Sequence, residues 1–140
     1  MNRLSGWIAA LVLTSLPLNA QTSDMVADPA IEAAIERQID AFSADDFEVA
    51  FEFASPMIRH IFGTPERFGA MVRSGYPMVH RAAKVEFLEL RRIDGDLWQK
   101  ILVRDGGGAY HTLDYQMQPD TDGTWRINGV QLLKAEQVGA

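Results

Sequence analysis

KVEFLELRRIDGDLWQKILVR, residues 84–104, reads as two strands joined by a tight turn, and that reading decides the fold class. Residues 84–92 and 97–104 are rich in branched and aromatic side chains, and Asp94-Gly95 between them is a two-residue turn signal. Further along, Gly106-Gly107-Gly108 leads into a strand over 109–118, and Pro119 to Gly123 leads into another over 124–133. The carboxyl-terminal half is therefore an antiparallel meander of about four strands.

Upstream the spacing turns helical. Asp28-Pro29 offers a cap followed by a first-turn proline, and Ile31, Ile35, Ile39 and Phe42 then recur on one face. Asp45-Asp46 interrupts that pattern and caps a second helix carrying Phe47, Ala50, Phe51 and Ala54, which Ser55-Pro56 ends. Met57, Ile58, Ile61 and Phe62 make a short third segment closed at Gly63, and Thr64-Pro65 opens a helix that Gly75 terminates. Helices first and strands afterwards describe an α+β domain with helices over one face of the sheet.

The element order, with AIERQIDAFSADDFEVAFEFASP (34–56), FGTPERFGAMVRSGYP (62–77) and GTWRINGVQLL (123–133), resembles the nuclear transport factor two-like superfamily. More narrowly the chain resembles the proteobacterial family called domain of unknown function 4864, from about Pro29 to Leu133. The resemblance implies a cone of helices packed into a curved four-stranded sheet, an apolar cavity open at one end, and an outer sheet face that often pairs with a second copy. It leaves function open, because similar proteins include isomerases, dehydratases, epoxide hydrolases and domains that only bind or dimerise.

Residues 1–20 read as an export signal, with Arg3, an apolar run from Trp7 through Leu16, and small residues ending at Ala20. The run is too short for a bilayer core of ~30 Å, so no membrane insertion is expected once the signal is cut, and the periplasm or the medium is the expected location. Cleavage after Ala20 takes 13 basic residues to 12 against 19 acidic, a net charge of −7. Such an acidic chain disfavours nucleic acid as a partner. Without cysteine, disulfides and thiolate zinc sites are excluded, and a composition of 47% hydrophobic residues suffices for a core. The expected organisation is a polar tether at 21–27, one domain at 28–134 and a tail at 135–140.

Candidate chemistry is sparse. Asp114 is the strand carboxylate most embedded in apolar sequence, but alternation places it opposite Leu113, Tyr115 and Met117. It reads first as a solvated or interface aspartate and second as a base. His60, His80 and His111 are the histidines, and their spacing matches no metal motif, so no metal is expected. His80, after Tyr76-Pro77, reads first as a surface residue and second as the histidine that lines a pocket mouth. Arg126 reads first as an ion-pair partner of Asp114 or Glu86 across the sheet, and second as a carboxylate grip. Gly129 in a strand signals a bulge or bend. Phe51, Phe62, Phe68, Met71 and Tyr76 are candidate walls of a cavity, with Arg126 as its polar contact.

These residues leave three functions open. One is a non-catalytic domain binding a small apolar or amphipathic molecule without cofactor. Another is a cofactor-free isomerase or dehydratase with Asp114 or His80 as base and Tyr76 or Tyr110 as proton donor. The last is a structural role in which Leu88, Leu90, Trp98 and Leu102 make the outer sheet face a homodimer surface.

Overall fold

The computed structural model describes residues 21–134. The export signal expected at 1–20 and the tail expected at 135–140 lie outside the described residues. The elements run β1 (Thr22–Met25), α1 (Pro29–Ser43), α2 (Phe47–Glu52), α3 (Pro56–Phe62), α4 (Pro65–Gly75), α5 (Pro77–His80), β2 (Ala82–Ile93), β3 (Asp96–Asp105), β4 (Tyr110–Pro119) and β5 (Trp125–Leu133). No helix among the described residues is long and apolar enough to cross a membrane.

Local signals set the helix boundaries. The side chains of Asp28, Asp46, Ser55 and Thr64 accept hydrogen bonds from the backbone N–H groups of Ala30, Val49, Ile58 and Arg67, so four helices begin on a satisfied cap. At the end of α1, the N–H of Asp45 donates to Phe42 O and that of Asp46 to Ala41 O, a left-handed closure usually given to glycine. Asp45 occupies it at φ 53°.

The strands form one antiparallel sheet in the order β1-β2-β3-β4-β5. Five strands replace the four expected, because part of the stretch read as a tether pairs with Leu90–Ile93 of β2. All four β1 side chains are exposed and the attachment is made by main chain, so no hydrophobic alternation marks it. Gln21 N–H donates to an Asp94 carboxylate oxygen and Asp94 N–H to Gln21 O, fixing the start of β1 on the next turn. That turn, Asp94-Gly95, has positive φ at both residues and joins β2 to β3 in the hairpin conformation that follows strand twist.

Besides a shift between Ala82 and Lys84 at the start of β2, two register shifts bend the sheet. One lies between Phe87 and Leu90, where the Gln99 amide donates to the Leu88 carbonyl and to Lys100 O. The other inserts Asn128 between the pairs Gln116↔Gly129 and Met117↔Ile127, the bulge that Gly129 signalled. Ile127 also donates to Phe53 O and Ser55 donates to Ile127 O, so the α2–α3 connection lies along β5.

On one face, Leu97, Ile101, Val103, Leu113, Tyr115, Met117 and Ile127 pack against Ile31, Ile35, Ile39, Phe42, Phe68 and Val72 of the helices. Gly69 lets α4 approach α2, since a Cβ there would lie 2.5 Å from the Phe47 ring. The opposite face carries a finding that corrects the sequence reading. Asp114 is not solvated: it is 5% exposed, and Arg91 donates to its two oxygens at 2.9 and 2.7 Å. The register puts Arg91 opposite Trp98 and Asp114 opposite Lys100, so the guanidinium reaches diagonally across β3. Arg126, expected to pair with Asp114 or Glu86, instead donates to Asp120 at 3.1 Å, the carboxylate next along its own hairpin.

Candidate functional site

The helix-facing side of the sheet does not meet the helices everywhere. Between α1, α3, α4, α5, β4 and β5 lies a cavity of about 280 Å³, at the small end of ligand sites, which run roughly 300–1,000 Å³. Each element contributes through its periodicity. Ile58 and Phe62 sit one turn apart on α3, Phe68, Met71 and Val72 share a face of α4, and Tyr115, Ile127 and Val130 come from adjacent strands.

Phe68 anchors the wall, with Phe42, Phe51 and Phe62 rings 5.5–5.7 Å from it in tilted contacts. Of the residues singled out in the sequence, Phe62, Phe68, Met71 and Tyr76 line the cavity. Phe51 stands behind Phe68 and does not line it, and Arg126 is engaged at the far hairpin.

Three polar side chains line the cavity. Tyr76 donates its hydroxyl to the Val130 carbonyl at 3.1 Å. Gln38, 2% exposed, donates its amide to the Ala50 carbonyl at 3.1 Å, which ties α1 to α2, and its own carbonyl oxygen has no partner among the described residues. Tyr115, 1% exposed, makes no side-chain hydrogen bond among the described residues. Burial first, and the neighbouring Tyr76 phenol second, push the Tyr115 phenol above its ordinary titration range, so it stays protonated. Among the described residues no carboxylate, imidazole, lysine or arginine lines the cavity.

Sequence reasoning missed Gln38, although its position three residues after Ile35 and one before Ile39 places it on the buried stripe. Tyr115 was legible as a core position from its alternation with Leu113 and Met117, but nothing nearby marked it as polar lining.

The titratable candidates are elsewhere. Asp114 is locked to Arg91 on the other face, and Tyr110 is exposed. His80 lies in a shallow groove with Pro77, Arg81, Asp105, Gly106 and His111. Its Nε2 is 2.7 Å from Asp45, whose two carboxylate oxygens both accept from Nη2 of Arg81. Arg81 chiefly, and His80 next, hold the Asp45 carboxyl down at about 2. In the same groove His111 lies 2.8 Å from Asp105 and lowers that carboxyl too. Both imidazoles are thus engaged by a neighbouring aspartate. Among the described residues no three histidine, aspartate or glutamate side chains are grouped to hold a metal ion.

The family model described as a domain of unknown function, DUF4864, matches residues 25–140. No curated protein and no solved structure matches the chain.

Proposed function

The chain belongs to the DUF4864 family, and on that premise we propose that it is an exported, non-catalytic domain that holds a small apolar or amphipathic molecule in the cavity between its helices and sheet. The observation that carries the reading is the character of that cavity: its wall is almost wholly aliphatic and aromatic, and its only titratable groups among the described residues are two tyrosines. Apolar walls with a few placed polar atoms favour binding by transfer from water, with orientation set by hydrogen bonds. An isomerase or dehydratase needs a base within reach of the substrate, and the carboxylate and imidazole candidates are engaged outside the cavity. We read the helices followed by an antiparallel meander, with a cavity between them, as the cone architecture of nuclear transport factor two-like domains.

Export of the full chain in a bacterial host, followed by native mass spectrometry of the periplasmic fraction, tests both parts. A mass beginning at Gln21 with a reproducible non-covalent adduct is expected. A chain retained in the cytoplasm at full mass would overturn export, and a bare mass under conditions that preserve complexes would overturn the ligand reading.

A further inference from the structure

If the cavity is a ligand site, as proposed above, its polar atoms constrain the occupant more narrowly than its apolar wall does. A buried phenol is rarely left without a hydrogen-bond partner. Tyr115 is such a phenol, on the cavity wall. Among the described residues the only side-chain polar atom both wholly shielded and unpartnered is Nε of Arg59, on α3. The Tyr115 hydroxyl therefore keeps contact with open volume, and the volume that its side chain lines is the cavity.

Gln38 adds the complementary half. One of its two amide N–H groups bonds Ala50 O, which fixes the amide orientation and, among the described residues, leaves an unpartnered acceptor oxygen on a side chain that lines the same space.

We propose that the ligand is a neutral amphiphile whose buried end carries an oxygen, a hydroxyl or carbonyl, that accepts a hydrogen bond from Tyr115, with a hydroxyl also donating to Gln38. Charge is selected against: among the described residues no cation lines the cavity to compensate an anion, and no carboxylate to compensate a cation, so a charged head would lose its hydration without replacement. Tyr115 is held in its protonated form, which makes it a donor throughout the neutral range. The small volume excludes large polycyclic lipids and suits one or two fused rings or a short chain.

Three probes of one shape test this at pH 7: 2-naphthol, 2-methylnaphthalene and 2-naphthoate, with dissociation constants from calorimetry. Apolar transfer alone ranks the methyl compound above the naphthol. The expected order is the reverse, with 2-naphthol roughly fivefold tighter than 2-methylnaphthalene, as one net hydrogen bond provides, and 2-naphthoate the weakest. Tyr115→Phe is expected to abolish the naphthol preference while leaving the methyl compound within about twofold.

Equal binding of the two neutral probes, tighter binding of the methyl compound, or a naphthol preference that survives Tyr115→Phe would each overturn the proposal while leaving an apolar ligand site standing. Failure of every probe to bind would instead overturn the ligand site itself. Should Tyr115→Phe not fold, the order of the two neutral probes on the unaltered protein decides.

Discussion

Asp45 shows how much one residue can be asked to do. It takes the left-handed position that closes α1, where glycine is at ease, and uses the side chain that glycine lacks to hold Arg81 and His80. Its depressed carboxyl gives stability that is present above the ordinary aspartate range near 4 and lost as pH falls toward 2. Asp45→Asn keeps the backbone preference and removes the charge. The melting temperature of the unaltered protein should exceed that of the variant at pH 6, and the gap should close between pH 4 and pH 2.

Arg91 and Asp114 form a different kind of pair, one in which both side chains are shielded. Removing one partner strands the other, so Asp114→Leu or Arg91→Met alone should cost about 3 kcal/mol in chemical denaturation. The double variant should recover most of that loss. Gly69 gives a third test at this scale. Helix propensity alone says that Gly69→Ala stabilises by up to about 1 kcal/mol, whereas the Phe47 ring 2.5 Å from the added carbon demands a net loss of about 1–3 kcal/mol.

At the scale of elements, α3 is where local sequence and the cavity meet. Ser55 caps it through Ile58 N–H and donates its hydroxyl to Asn128 at the β5 bulge, while Ser55 N–H holds the α2–α3 connection on Ile127. Ser55→Ala removes the cap and leaves an Asn128 oxygen without its donor. It should cost about 1–3 kcal/mol and quicken amide exchange in residues 56–62 more than in β3.

The caps of α1 and α4 were legible because a polar residue followed by proline is a local signal, complete within a few residues, whereas Ser55-Pro56, read as the end of the second helix, also caps α3. The Asp94-Gly95 hairpin was legible for the same reason. β1 was not, because its pairing is made by main chain and its exposed side chains keep no pattern. The partners of Arg91 and Arg126 were not legible either, since each depends on strand register and, for Arg91, on reach across an intervening strand.

At the scale of the whole molecule, the helices and the sheet enclose more space than their side chains fill, and the proposed function rests on that volume. Part of its wall was foreseeable, because Phe62, Phe68 and Met71 sit on the apolar faces of helical segments and Tyr76 follows the glycine that ends one of them. The rest was not, because whether Gln38, Ile127 or Val130 faces a packed neighbour or a void is decided by how α1, α3 and β5 dock.

The cavity itself is most directly tested by methyl-resolved NMR of the protein titrated with 2-methylnaphthalene, reading the isoleucine, valine and methionine signals. Saturable shifts confined to Ile58, Met71, Val72, Val79, Ile127 and Val130 are the expected result, with Val103 and Ile31 unmoved. No saturable shift, or shifts spread over the exposed Val26, Val49 and Ile61 instead, would contradict a ligand-binding cavity between helices and sheet.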